Sequence, residues 1–393
     1  MSGVGRAGLV ACALFLVACA IGYGGIFSHA YPGDTVTYSK YGRALVNDGR
    51  IPYRDFYDEY PPGSVPVFAA AAVIWDAHYV LVFKLLMIAC GIGCVLCTAW
   101  IAERLGLTPL RLAPIVLAPL LLGPVFLNRY DLLPAFLTSL ALVALLRRQE
   151  RTTGALLGAG TVVKVYSAVV VPVAARRLRM SYRAAVAFLV AGAILFLPFF
   201  LIAPGGVGFS FWTQLKRHLQ IETVGSSLLL AGSRLGIHHV DWIAGKPGSI
   251  DLGGGAADVV ATLSSLLALA LVVRVAVLYW RGPDTDARLV TAWAGAVAAW
   301  TVFGKVLSPQ YMTWLAPLVP LAAGRRGIHA TCLLLAAFAF TQMEYFFGDN
   351  GLRGQNWTVW LLLARNALLV AAFVLVYLEL REEARPAQRR GQV

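Results

Sequence analysis

Apolar runs reaching about twenty residues recur along the whole chain, and the longest are enough to cross a ~30 Å hydrocarbon layer as helices. Residues 7–27, 79–101, 112–127, 132–146, 184–203, 256–279, 289–306, 311–323, 328–347 and 358–378 read as candidate spans. Hydrophobic residues make up 59% of the chain and charged residues 13%. Soluble domains carry about 25% charge, so a water-soluble fold is excluded. The expectation is an all-α polytopic transmembrane helical bundle forming a single domain over residues 1–393. Two shorter arms, 154–163 and 165–175, meet at Lys164. At 1.5 Å per residue each arm reaches about half the hydrocarbon core, which predicts a re-entrant hairpin or two broken helices.

Arginine sets the orientation. With the N-terminus inside, the basic stretches 104–111, 147–151, 176–183, 281–288 and 325–326 all face the cytoplasm, as does a basic tail over residues 379–393. The same parity places outside a first loop at 28–64, the corner 128–131, a long segment at 204–255 and the corner 305–311. Residues 62–75 are then a helix lying in the outer leaflet. A rival parity makes 65–75 and 154–175 full spans, but it puts Arg147, Arg148 and Arg151 outside. The net charge of +13 is a topogenic signal and an attraction to anionic lipid, not a nucleic-acid footprint. The first span reads as an uncleaved anchor in a cell (plasma) membrane. All six cysteines fall in apolar spans and read as small packing residues.

Soluble nucleotide-binding motifs are missing: the glycines before Lys164 lack phosphate-loop spacing. Gly154 and Gly158, four apart, suit close helix packing in lipid. Charge concentrates instead in the first outer loop, where Asp34, Asp48, Asp55, Asp58 and Glu59 mix with Lys40, Arg43, Arg50 and Arg54. Packing a membrane bundle needs no such loop; handling a polar substrate at the bilayer surface does. Asp34 opens a short amphipathic helix at 35–46. It suits both an N-cap and a rigidly held catalytic carboxylate. Asp58 and Glu59 stand beside Tyr60 and a Pro61-Pro62 pair that fixes the backbone. Adjacent carboxylates there could bind a divalent cation or sugar hydroxyls, or form a solvated turn.

Further candidates lie on the other outer corners. Arg129 and Asp131 form either a structural ion pair or part of a site. Lys164 sits at membrane depth, where a lysine is costly and lines a cavity, meets an anion or snorkels to a headgroup. Pro309 breaks a helix beside Lys305, Gln310, Tyr311 and Trp314, a grouping of cation, amide and phenol suited to a sugar phosphate. Arg217, His218, Gln220 and Glu222 in the long outer segment could add to it. The pair His238-His239 lacks a third ligand, and no metal or other cofactor is assigned.

The order Gly33-Asp34, Tyr60-Pro61-Pro62, Arg129-Tyr130-Asp131, Gly158 to Lys164-Val165-Tyr166, and Lys305 through Ser308-Pro309-Gln310-Tyr311 to Trp314 resembles the multi-spanning GT-C glycosyltransferases, family 87 in particular. The Tyr-Pro-Pro and Ser-Pro-Gln-Tyr blocks are the more specific. The resemblance implies transfer of a mannosyl or other glycosyl unit from a polyprenyl-phosphate sugar to an envelope glycolipid or glycan, on the outer face. It also implies that a first-loop aspartate, Asp34 here, is the base. Arabinofuranosyl transfer is the variant within the family. The chain departs from the family pattern at Ser167, where a proline is expected.

Cations at Lys164, Lys305, Arg129 and Arg217 would meet the donor phosphate. Asp58, Glu59, Tyr60, Asp131, Gln310, Tyr311, Trp314, His218, Gln220 and Glu222 would meet sugar or acceptor. A flippase for lipid-linked sugars is the rival from another class. Transporters tend to be built of repeated halves with matching broken helices, and this chain shows no such repeat. A non-catalytic envelope-assembly partner would not need the polar break at 305–311.

Overall fold

A computed structural model describes residues 5–28, 33–244, 250–347 and 356–382. The chain divides into two compact units, one of Met1–Trp100 with Ile115–Arg217, the other of Ile101–Pro114 with His218–Val393. Among the described residues, Pro62–Arg104, Tyr182–Ile202, Gly255–Arg281 and Trp357–Glu382 are long and apolar enough to cross a membrane. Arg6–Ile21, Pro109–Leu121 and Leu132–Leu146 are shorter apolar helices. The expected helical, polytopic membrane architecture is therefore observed, with one small sheet added to it. The basic tail expected over 379–393 begins within the last helix, and residues 383–393 lie outside the described set.

The first unit opens with α1 (Arg6–Ile21) and α2 (Thr35–Val46). Buried Thr35, Tyr38, Ser39 and Gly42 fall at the i, i+3, i+4, i+7 spacing of one helix face. That face packs on α3 (Val65–Trp75) so closely that a Cβ at Gly42 would lie 2.3 Å from the Phe68 carbonyl oxygen. A turn at Pro62–Ser64 starts α3, and a second at Asp76–His78 separates it from α4 (Tyr79–Arg104). Lys84 on α4 is buried and donates to the carbonyls of Gly25 and Ser28, satisfying the chain that leaves α1.

The expected span 112–127 is divided. Gly123, at φ +56°, and Pro124 interrupt it between α5 (Ala113–Leu121) and the single turn α6 (Pro124–Leu127). Then come α7 (Leu132–Leu146), α8 (Glu150–Val163), α9 (Val171–Arg177), α10 (Tyr182–Ile202) and α11 (Pro204–Leu215). The predicted break at Lys164 is present: this residue is extended (φ −160°, ψ 122°), and a 3-10 stretch, Val165–Val170, leads into α9. Ser167, where proline was expected, shares a 2.8 Å hydrogen bond with the Thr138 hydroxyl. Gly154 and Gly158 do pack helix on helix: a Cβ at either would lie 2.1 Å from a carbonyl oxygen of α10, of Ala184 and Phe188 respectively. Elsewhere α10 exposes Leu189, Val190, Ile194 and Leu201, a face suited to lipid.

The second unit holds β1 (Leu219–Gln220), α12 (Val224–Arg234), β2 (Asp241–Ala244), β3 (Ile250–Gly253), α13 (Gly255–Arg281), α14 (Asp286–Phe303), the single turn α15 (Met312–Leu315), α16 (Gly324–Phe347) and α17 (Asn356–Glu382). The long outer segment is thus partly folded. Its strands form an antiparallel sheet in the order β1-β3-β2, with Leu219 opposite Leu252 and Asp241 opposite Gly253. Leu219, Leu230, Leu252, Ala257 and Leu362 bury one core between the sheet, α12, α13 and α17.

The expected span 311–323 is not a regular helix. Pro317 and Pro320 each lack a backbone donor, and the chain runs as α15 and a 3-10 turn, Val319–Leu321. Buried arginines tie helix ends to loops. Arg288 donates to the carbonyls of Pro283, Leu380 and Leu278, and Arg111 to those of Pro320, Ala322 and Gly324.

Candidate active site

In the first unit the start of α2 meets the corner between α6 and α7. Gly33 takes φ +56°, a conformation that costs glycine little, and turns the chain so that Asp34 reaches the Arg129 guanidinium. A Cβ at Gly33 would stand 3.6 Å from that group. Asp34 occupies the N-cap position but makes no side-chain capping bond. Its Oδ2 instead pairs with Arg129 and accepts from the Tyr60 hydroxyl at 3.3 Å. Thr35 Oγ1 donates 2.9 Å to the Asn128 carbonyl and locks the helix start to the corner.

Asp131, at the start of α7, is buried and pairs with Lys164 Nζ at 2.6 Å. The same ammonium stands 4.7 Å from the centroid of the Tyr130 ring, so the break after α8 places a cation against both a carboxylate and an aromatic face. The Lys164 side chain is 15% exposed, Arg129 11% and Asp34 26%, against 2% for Asp131. Asp34 is therefore the carboxylate of this group with room to meet a ligand.

An aromatic box supports these charges. Tyr38 stacks on Phe68 with centroids 4.4 Å apart, and Tyr60 and Tyr130 stand edge-on to both. The sequence reading missed this box. The signal was present in part, since Tyr38 lies four residues after Asp34 on the same helix face.

The turn beside Tyr60 separates its two acids. Asp58 is fully buried, and its Oδ1 accepts from the Tyr60 backbone N–H at 2.9 Å. Burial pushes its carboxyl up to about 8; the Tyr60 N–H opposes the shift and the Glu59 charge adds to it. Glu59 is half-buried, and its carbonyl accepts from the Gln214 amide on α11. Arg217, two residues past α11, closes this unit.

The remaining candidates belong to the second unit. The backbone N–H of Gln220 donates to the Lys305 carbonyl at 3.1 Å, and its Oε1 accepts from the Glu222 and Leu307 backbones. Gln220 thus pins the break that holds Lys305. Ser308 donates to Gln310 Oε1, and Tyr311 stacks on buried Trp314 with centroids 4.0 Å apart. His218 is exposed and 3.6 Å from Asp258. The Glu222 carboxylate is held by Arg365 at 2.9 Å, and Arg365 also reaches Glu344 at 3.2 Å. The sequence reading missed Arg365 and Glu344; Arg365 lies 143 residues from Glu222, so their pairing has no local signal.

The chain carries the pattern of a membrane glycosyltransferase: residues 57–309 match the model of glycosyltransferase family 87. It belongs to that family. Its fold is similar to the crystal structure of ArnT from Cupriavidus metallidurans, described as bound to undecaprenyl phosphate. The TM-score is 0.51 at 15% identity, over 96% of this chain and 77% of that one. No curated protein matches the chain in sequence.

Proposed function

We propose that the protein moves a glycosyl unit, mannosyl in the first instance, from a polyprenyl-phosphate donor to a hydroxyl of an envelope glycolipid or glycan on the outer face of the cell membrane. The lipid donor is supported by the undecaprenyl phosphate named for the ArnT structure and by the apolar surface that would receive its tail. Arabinofuranosyl transfer is the alternative within the same chemistry.

The observation that carries the reading is Asp34. It lies outside the residues matched by the family model, yet it is held by Arg129 and Tyr60 and remains partly open to a ligand. In the proposed step the acceptor oxygen attacks the anomeric carbon and its proton passes to Asp34. The bond from that carbon to the phosphate oxygen breaks with both electrons going to phosphate, and the anomeric centre inverts. Negative charge grows on the leaving phosphate. Arg129, Lys164 and Arg217 are the cations of this unit assigned to favour that state.

Protein in lipid would be offered polyprenyl-phosphate-mannose and polyprenyl-phosphate-arabinofuranose with envelope glycolipids, and products followed by mass spectrometry. Mannosylated product is the expected result. A donor moved across the bilayer without product would identify a flippase instead. General base catalysis is worth ~10²–10⁴ in rate, and Asp34→Asn should lose that much. Full turnover by this variant would remove Asp34 as the base.

A further inference from the structure

We infer that Tyr60 is a positioning residue for the base, with Asp58 as the inward peg that fixes it; this rests on the assignment of Asp34 to that role. Every polar group of Tyr60 is engaged. Its N–H donates to Asp58 Oδ1 at 2.9 Å, its carbonyl accepts from the Tyr53 hydroxyl at 2.6 Å, and its own hydroxyl donates to Asp34 Oδ2 at 3.3 Å. The chain beyond it is equally fixed: Pro61 and Pro62 restrict the backbone, and Ser64 Oγ donates to the Pro61 carbonyl at 2.8 Å. The ring stands edge-on to Tyr38, Phe68 and Tyr130 with centroids 5.2–5.6 Å away. A phenol held on all sides leaves its hydroxyl little freedom, so Asp34 Oδ2 is held by Arg129 and Tyr60 together.

Asp58 completes the device. It is fully buried and its Oδ2 has no hydrogen-bond partner, as befits a carboxyl that keeps its proton rather than a ligand for a substrate or cation. The groups facing Asp58 are Glu59, Tyr41 and Tyr53, with the Tyr60 N–H on Oδ1. Those facing Tyr60 are Glu59, Tyr38, Tyr41 and Tyr130, and those on Asp34 are Arg129 and Tyr60. Arg129 supplies the positive charge on Asp34, and the Tyr60 hydroxyl adds a hydrogen bond to the same oxygen.

Tyr60→Phe keeps the ring contacts and deletes the hydroxyl. A hydrogen bond to the charged form lowers an acid's pKa, so its loss should move the acidic limb of the pH–rate profile up by about one unit. We expect kcat to fall about tenfold, the equivalent of one hydrogen bond to a charged group, while the donor KM changes less than twofold. Asp58→Ala frees the turn and should reproduce the fall in kcat, and Asp58→Asn, which retains an acceptor at Oδ1, should recover most of it. An inactive Asp34→Asn together with an unshifted limb and normal kcat in Tyr60→Phe would overturn the inference. So would equal loss in Asp58→Asn and Asp58→Ala. An active Asp34→Asn would instead overturn the base assignment on which it rests.

Discussion

The pair between Asp131 and Lys164 can be tested as structure and as chemistry at once. The carboxylate side chain is 2% exposed and the ammonium 15%, at 2.6 Å. Lys164→Met keeps the length and apolar stem but leaves the Asp131 carboxylate without this cation. Breaking a buried pair from one side costs about 3–5 kcal/mol, and the slight exposure of Lys164 favours the lower figure. At ~2 °C per kcal/mol for a large domain, melting in detergent should fall by about 6–10 °C. Asp131→Asn should destabilise by a similar route, leaving the lysine beside the Tyr130 ring. The double variant Asp131→Asn/Lys164→Met removes both charges of the pair and should recover much of the loss, giving a coupling energy of more than ~3 kcal/mol in a double-mutant cycle. Transfer separates the two roles. If Lys164 also meets the donor phosphate, the double variant regains its melting temperature but not its rate. A Lys164→Met variant that melts with the wild type would refute the structural argument. A double variant with full rate would remove Lys164 from the donor site.

Two other outcomes follow from burial and from charge. Asp58 is pushed up to about 8 in the folded protein, against about 3.9 for an unfolded aspartate. Below pH 4 both states hold the proton and there is no penalty; between pH 4 and 8 only the folded state holds it, so stability should decline as pH rises through that window. Asp58→Asn should flatten this slope in thermal melts, and an unchanged slope would show that the folded protein ionises Asp58 freely. For orientation, Asp48 and Gln149 are both exposed, whereas Asn128 is buried and unsuited to labelling. In a background lacking the six native cysteines, Asp48→Cys should react with a membrane-impermeant thiol reagent in intact cells and Gln149→Cys should not; the reverse would place the Asp34 loop in the cytoplasm.

Local signals were legible and distant ones were not. The helix at 35–46 was readable from its Gly-Asp start and its amphipathic spacing, and the break at Lys164 from two apolar arms too short to cross. The glycine pair on α8 was readable because small residues four apart have one common use in lipid. By contrast, the strands at 219–253 are two to four residues long and lie in a segment with no clear alternation, and the pairing of β1 with β3 joins residues about thirty apart. Proline was undervalued: residues 311–323 are apolar enough to suggest a span, but Pro317 and Pro320 deny them a helical ladder. Within the site, individual charges stood out, but their pairing did not. Asp34 with Arg129, and Asp131 with Lys164, are set by tertiary approach across many residues. Glu222, read as a substrate contact, is gripped by Arg365, a partner 143 residues away.

The guanidinium of Arg288 has a consequence for how the protein is made. Two of its carbonyl partners, Leu278 and Pro283, are translated before it, but the third, Leu380, emerges 92 residues later. Arg365, which closes on Glu222 and Glu344, also lies on that last helix. Chains emerge from the ribosome at about 5–20 residues per second, so a nascent second unit waits several seconds for the Leu380 carbonyl and the Arg365 guanidinium. During that interval the earlier helices of this unit lack the contacts that hold them in register. A premature stop shortly before residue 365 would thus remove more than one helix: it would leave a nearly complete polypeptide that cannot lock shut, a natural substrate for membrane quality-control proteases.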